Sequence, residues 1–487
     1  MLLGIDIGTT HSKAAIFDRS GKLLASDKTL TPKSPDGAHY LADRLWQEVA
    51  RLIAKVKEAS TVKIAALAVS SMGETGVGLD ESGNLTLPVI PWYDQRAHLE
   101  MMELREGLGK EKLFNTTGLY ANPIHSIAKW MYLQKHHPYA WQKTRTWLSM
   151  CDFINYKLTD KSFICDSQAA RTMAYDVNKG RWSIEILKAA GLKANFLPPV
   201  VPAARLIGEV SHAASKLTGL SEGTPVFSGG HDHLCACFAC GVIDPSTVLD
   251  SIGTAESLNT ALTGKLSSQE AKGFGFGPHV VKDQMYLMGG IYSSGGAKAW
   301  VKELFKLASF QELEKMAAQV TPGASPLFIA HFHGAAPPWN KESQGAFIDL
   351  TTKHGPAEMI RAVYEGIGFE FRRGLEALEV VTGKTIERLF VVGLSAEDRL
   401  SGPLRASIYQ KPLEIPRYDD MVTFGAALLA GVGANIYDSH ASAVAKTHQL
   451  RGIIQPEDVW QESYAKIFPH YKTAALALLI IGLEKQA

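Results

Sequence analysis

The chain has 487 residues, of which 46% are hydrophobic and 20% charged, with a formal net charge of +1. That balance describes a globular protein of two or three domains with ample core, and it offers no electrostatic case for nucleic acid or an anionic membrane surface. No apolar run reaches membrane-spanning length; the longest, Ala474 to Leu483, is expected to dock on the body as a C-terminal helix.

A strand is expected from residue 2, with no basic segment or cleavage site before it, so the cytoplasm is the expected location. Leu3-Gly4-Ile5-Asp6-Ile7-Gly8-Thr9-Thr10 enters a turn, and the chain re-enters a strand from Lys13 to Asp18. Tyr40 to Ala59 has helical periodicity through Leu45, Val49, Leu52 and Val56. Lys63 to Ser70 reads as a strand buried on both faces, as helix-covered parallel sheets require. It leads into Gly73-Glu74, and a further strand and turn lead to Trp92, Asp94 and Arg96. A buried strand ending in a polar loop is where open α/β sheets place ligand contacts. These residues are therefore pocket candidates, with a surface ion pair and a core tryptophan as the plainer alternatives.

Residues 98 to 200 read as mostly helical, with segments at Ser126 to His136 and Met150 to Leu158. Thr224 to Ser228 is a strand that delivers the chain through Gly229-Gly230 to Asp232. An acid just past a strand end is well placed to take a proton from a bound hydroxyl. The small-residue helix that follows, Leu234 to Gly241, carries Cys235, Cys237 and Cys240. Residues two apart on a helix face different ways, so these thiols are expected to pack rather than to bind metal.

Leu249-Asp250-Ser251-Ile252-Gly253-Thr254, re-entering a strand at Glu256 to Leu262, repeats the opening turn about half a chain later. The echo suggests a duplicated fold with a boundary at 243/244, giving domains 1–243 and 244–487. Either turn alone could be an ordinary Gly-Thr hairpin; the pair, flanking an exposed acid, points to phosphate, which backbone N–H groups and hydroxyls can hold. Further on, Gly295-Gly296-Ala297 opens the helix Lys298 to Leu307, Leu327 to His331 is a strand, and Pro356 to Val381 is a long amphipathic helix. Arg388 to Val392 is a strand ending in Gly393-Leu394-Ser395-Ala396, with helices at Leu400 to Tyr409 and Val422 to Gly433. Glycine loops opening onto helix N-termini suit a nucleotide's phosphates, and close helix packing suits the same composition. Zinc binding by the histidine pairs, His231 with His233 and His331 with His333, would need two more convergent ligands, and His233 is expected instead to contact substrate or tune Asp232.

Read together, these segments resemble the FGGY family of carbohydrate kinases over essentially the whole chain. GIDIGTTHSKAAIFD and LDSIGTAE resemble the two phosphate motifs of the actin-like ATPase superfamily, and FSGGHDH resembles the segment carrying the catalytic aspartate. Ser126-Ile127-Ala128-Lys129-Trp130 resembles the N-terminal signature. Gly345 to Leu350, followed by Glu358 to Glu365, resembles the C-terminal one, with Asp349 where glycine is usual.

The resemblance implies an α/β protein of two duplicated ribonuclease H-like domains with a cleft between them. It implies phosphorylation of a small sugar or polyol by ATP, with sugar mainly on the N-terminal half and nucleotide on the C-terminal half. Asp232 is then the general base. Gly73, Glu74, Trp92 and His233 face the sugar, and Asp6, Gly8, Thr9, Thr10, Lys13, Gly253, Thr254, Gly296, Gly393 and Ser395 serve the nucleotide. Asp6 orders Mg2+ through water. In the family's glycerol kinases the corresponding clamps are an arginine–glutamate pair, a tyrosine and a glutamine; here the positions hold Gly73–Glu74, Ile124 and His233, so glycerol is not the expected substrate. A ketopentose, a tetrose derivative and a sugar alcohol all fit. A homodimer is the assembly common in the family. The competing expectations are a module that binds nucleotide or sugar without turnover, suggested by the altered Gly393 loop, and an actin-like ATPase acting on a protein partner.

Overall fold

The computed structural model describes residues 1–60, 63–291, 293–339, 343–394 and 398–484. The first sheet is built on β1 (Leu2–Ile7), which pairs antiparallel with β2 (His11–Phe17), and β2 in turn with β3 (Leu23–Leu30). On the other side of β1 lie β4 (Ala66–Ser71), then, beyond β5 (Leu206–Glu209) in the chain, β6 (Pro225–His231), which is parallel to β4. The spatial order is β5-β6-β4-β1-β2-β3. Every residue of β1 and β4 is buried, because these strands are covered on both faces; their apolar runs are broken only toward the C-terminal ends, by Asp6, Ser70 and Ser71. β3, at the edge, alternates half-buried with exposed positions.

A second sheet contains β7 (Thr247–Ile252), β8 (Glu256–Leu262), β9 (Gly275–Pro278), β10 (Met285–Ile291), β11 (Arg388–Val392), β12 (Leu413–Pro416) and β13 (Leu450–Ile454), in the order β9-β10-β8-β7-β11-β12-β13. Its centre, β10-β8-β7-β11-β12, repeats β3-β2-β1-β4-β6 with the same sequence of antiparallel, antiparallel, parallel and parallel pairings. The duplication expected from the two Gly-Thr turns is therefore a duplication of topology. The turns occupy equivalent places, between β1 and β2 and between β7 and β8.

The helices follow the expected periodicities. α1 (Ala42–Glu58) buries Leu45, Val49, Leu52, Ile53 and Val56 against Leu3 and Ile5 of the first sheet. α2 (Ser126–His136), α3 (Met150–Thr159) and α4 (Asp166–Arg171) belong to the stretch inserted between β4 and β5. That stretch reaches the second sheet, where the N–H of Phe276 on β9 donates to the Gly118 carbonyl at 2.9 Å. α5 (Asp232–Cys240) leaves the end of β6 directly. In the second half come α6 (Gly295–Leu304), α7 (Pro356–Thr382), α8 (Ser401–Tyr409), α9 (Met421–Gly433) and α10 (Asp458–Glu484). α10 docks on α7, with Tyr464 and Phe468 against Phe369.

α9 follows the second sheet in the chain but packs on β1 and β4 of the first, and against α5. The approach is close enough to exclude any side chain at the crossing. A Cβ on Gly4 would lie 1.8 Å from the Thr423 carbonyl oxygen, and one on Gly425 would lie 1.9 Å from that of Cys235. Small residues are in this helix because another backbone occupies the space where side chains would be. The same holds for the cysteines of α5, all buried, their thiols pushed up by desolvation. No group of three metal-ligating side chains occurs among the described residues, and no helix there is long and apolar enough to cross a membrane.

Candidate active site

The polar residues converge at the C-terminal ends of the parallel strands of the two sheets, where strand-end loops are free to carry chemistry. Asp232 is the first residue of α5 and remains partly exposed. Its Oδ1 accepts from the His233 N–H at 2.7 Å and lies 3.3 Å from His231 Nε2. His231 is buried, and desolvation, with Arg171 and His233 nearby, holds its pKa well below the usual imidazole value. The ring beside Asp232 is therefore neutral at physiological pH, and its Nδ1 has no hydrogen-bond partner.

Gly73 makes this arrangement sterically possible. A Cβ there would meet the His231 ring at 3.0 Å and Arg171 Cγ at 3.2 Å. Glu74, next in the chain, is buried with φ +57°, a left-handed conformation uncommon for a residue with a side chain. Its carboxylate is taken by Arg171 of α4, which donates through Nε at 2.7 Å and through Nη2. Arg171 also reaches Tyr286 of β10, with Nη1 3.4 Å from the hydroxyl. Burial opposes the charge on Arg171, but Glu74 and Tyr286 outweigh it and hold its pKa above the ordinary guanidinium value. Asp94 and Arg96, also candidates from sequence, pair with each other at 2.7 Å, and Arg96 turns to the Ala38 carbonyl and His39.

Around the first turn, Trp92 donates its indole N–H to Thr9 Oγ1 at 2.9 Å, and the Tyr40 hydroxyl donates to the Thr9 carbonyl at 3.2 Å. Thr10 is exposed at the tip. Gly8 is not in a left-handed conformation; a Cβ there would crowd the His11 carbonyl at 2.7 Å, so the turn requires glycine for space. Asp6, at the end of β1, is buried. Its Oδ2 lies 3.9 Å from Lys13 Nζ, and Oδ1 has no hydrogen-bond partner. Burial pushes this carboxyl well above the usual range; Lys13 opposes the shift, and Asp420 and Asp232 add to it. A buried carboxyl oxygen without a donor fits a hard cation held through water, as a single protein ligand and not as a cluster.

In the second half, the Gly295 and Gly296 N–H groups donate to the Gly253 and Thr254 carbonyls at 3.1 and 3.0 Å. The opening of α6 is thereby locked onto the second turn, and the Gly296 N–H is occupied. Gly393 has φ +86°, and a Cβ there would lie 2.1 Å from the Ile252 carbonyl oxygen, so both conformation and space demand glycine. Leu394 is not among the residues of positive φ, so a side chain is tolerated there; Ser395 lies outside the described residues. Beneath the second turn, Arg405 of α8 bonds the Glu256 carboxylate and lies 3.6 Å from Asp250.

Sequence reasoning missed Arg171, Tyr286 and Asp420. Asp420 caps α9 by accepting from the Thr423 N–H at 3.2 Å and lies 3.6 Å from Lys13. It stands before α9 as Asp232 stands at the head of α5, so carrying the repeat past the turns would have found it.

Residues 1–239 match a family model described as the FGGY family of carbohydrate kinases, N-terminal domain, and residues 249–434 match the C-terminal domain of the same family. A xylulose kinase of Lactococcus lactis is 27% identical over 484 residues, covering 97% of this chain and 92% of that protein. An L-fuculokinase of Escherichia coli O157:H7 is 27% identical over 464 residues, covering 92% and 95%. The crystal structure of a xylulose kinase from Rhodospirillum rubrum superposes with a TM-score of 0.89 at 24% identity, covering 98% of each chain.

Proposed function

Because the chain belongs to the FGGY family of carbohydrate kinases, we propose that it transfers the γ-phosphoryl group of ATP to a hydroxyl of a small sugar or polyol, with Asp232 as general base. The observation that carries the reading is the placement of Asp232: partly exposed at a strand end, with a neutral imidazole 3.3 Å from its Oδ1. A carboxylate so placed accepts the proton of a hydroxyl whose oxygen attacks the phosphorus. The two Gly-Thr turns and Lys13 supply hydroxyls, backbone donors and one cation for the charge spread over the transferring group. Asp6, through its unpartnered oxygen, would hold Mg2+ by way of water, and that ion, when bound, offsets phosphate charge.

The sugar side is assigned to the first half, with Gly73, Glu74, Trp92 and His233 around the substrate; the nucleotide side is assigned to the second. A ketose is favoured over glycerol. The position before Glu74 is a glycine, and the arginine paired with Glu74 comes instead from α4, so the wall is not built on the adjacent arginine–glutamate pair that holds so small a polyol. The relatives named as xylulose kinase and L-fuculokinase support the same class.

The test is ADP release with Mg·ATP across ketopentoses, deoxyketoses, tetroses and sugar alcohols, with Asp232→Asn alongside. Turnover on one compound, lowered in the variant by about 10²- to 10⁴-fold with an unchanged melting temperature, is the expected result. Retention of a substantial part of the activity would remove Asp232 from the role.

A further inference from the structure

Lys129 belongs to the Ser126–Trp130 motif, and nothing in the reaction as derived above uses it. The side chain is buried, at 4% exposure, in the wall behind Glu74 and Trp92. Among the described residues its ammonium forms no ion pair within 4 Å; Glu74 spends its carboxylate on Arg171, and Asp94 on Arg96. Nζ donates instead to three backbone carbonyls, those of Pro91 at 2.8 Å, Trp92 at 3.2 Å and Glu74 at 3.4 Å. These carbonyls belong to the two turns whose side chains face the proposed substrate.

We propose that Lys129 is a positioning residue that fastens the Gly73-Glu74 turn and the Pro91-Trp92 turn into one frame, and through Trp92 ties that frame to the first phosphate turn. This rests on the reading of Glu74 and Trp92 as sugar-facing residues.

Three features support the inference. Glu74 has φ +57°, a conformation that persists only when the surroundings fix it, and its carbonyl accepts both from Lys129 and from the Ser126 hydroxyl, the latter at 3.0 Å. Both donors come from the first turn of α2, so one helix end sets the carbonyl's direction. Trp92, whose carbonyl Lys129 also holds, reaches Thr9 Oγ1 with its indole N–H at 2.9 Å. A chain of hydrogen bonds therefore runs from the Glu74 backbone through Lys129 and Trp92 to the phosphate turn. Finally, a buried ammonium is costly, and burial pulls its pKa down to about 7 against the opposing fields of Glu74 and Asp94, with Arg96 adding to the lowering. A group kept at such expense, without a carboxylate partner, is accounted for by the three carbonyls it holds.

The experiment compares Lys129→Met with the full-length wild type by amide hydrogen exchange and by kinetics. Peptides covering residues 72–76 and 90–93 should lose protection together in the variant, while those covering the 253–255 turn stay unchanged. In the same protein the KM for sugar should rise and kcat fall, each by about tenfold or more, with the KM for ATP within twofold. A uniform loss of protection, a change in one turn only, or sugar kinetics like those of the wild type would overturn the proposal. Should Lys129→Met fail to fold, Lys129→Arg, which keeps a cationic donor, is expected to show the same joint change in smaller degree; wild-type exchange in it would count equally against the idea. The exchange measurement needs no turnover. A wild type inactive on every sugar would defeat the kinase reading of the pocket and leave the positioning claim to be decided by exchange alone.

Discussion

His125 and Arg171 both lie beside the Glu74 carboxylate, and only one of them carries charge. The Arg171 guanidinium is matched by Glu74, whereas the His125 ring lies between the carbonyls of Tyr120 and Arg171 and is 3.9 Å from Glu74 Oε1. Burial first, and Arg171 second, hold the His125 pKa down at about 3. A histidine depressed in the folded state binds its proton more readily when unfolded, at about 6.5. Its stabilisation is therefore complete above pH 6.5 and is lost as the pH falls toward 3, by roughly 2 kcal/mol at pH 5 from this ring alone. Urea unfolding at pH 7 and pH 5 tests this. His125→Gln, which keeps a donor and an acceptor, should lose distinctly less stability between the two pH values than the wild type does. Equal losses would mean that the acid sensitivity arises elsewhere.

At the scale of elements, the α5–α9 crossing is a close backbone contact that can be probed by one methyl group. Ala at Gly425 would place its Cβ 1.9 Å from the Cys235 carbonyl, so one backbone must move. Gly425→Ala is expected to destabilise by about 1–3 kcal/mol, visible as a lower melting temperature, whereas alanine in an uncrowded helix would stabilise. A neutral or stabilising result would show that the two helices have room to separate. The glycine-rich composition of this helix was plain in the sequence; the α5 backbone it packs against, 190 residues earlier at Cys235, was not. The same contrast holds throughout. The two Gly-Thr turns and the acid after β6 were legible because each lies within a short local pattern of strand, glycine and polar residue. Arg171 and Tyr286 were not, because Arg171 meets Glu74, and Tyr286 meets Arg171, only when α4 and β10 fold over the loop, and neither sits in a motif. Asp349 shows the limit of reasoning by resemblance: at the position where glycine is usual it adopts φ +62° itself, as short polar residues can.

At the scale of the molecule, the duplicated halves are joined by polar contacts close to the proposed chemistry as well as by shared core. Arg171 reaches Tyr286 across the halves, and Lys13, beside the first phosphate turn, lies 3.6 Å from Asp420 at the start of α9. Asp420 serves two purposes that substitution can separate: it caps α9 and it faces Lys13. Asparagine is as good a cap as aspartate but carries no charge, whereas alanine does neither. Asp420→Asn should therefore melt close to the wild type, because the ion pair is about a third exposed and screened. Asp420→Ala should lose about 1 kcal/mol from the cap. If the pair orders Lys13 for phosphoryl transfer, both variants should lose kcat by a similar factor despite their different stabilities, and added salt should slow the wild type toward them. If kcat instead follows stability, falling in alanine and not in asparagine, the acid matters for its cap alone. The duplication would then have left equivalent acids at the heads of α5 and α9 with different duties, one proposed for the proton and one for the helix.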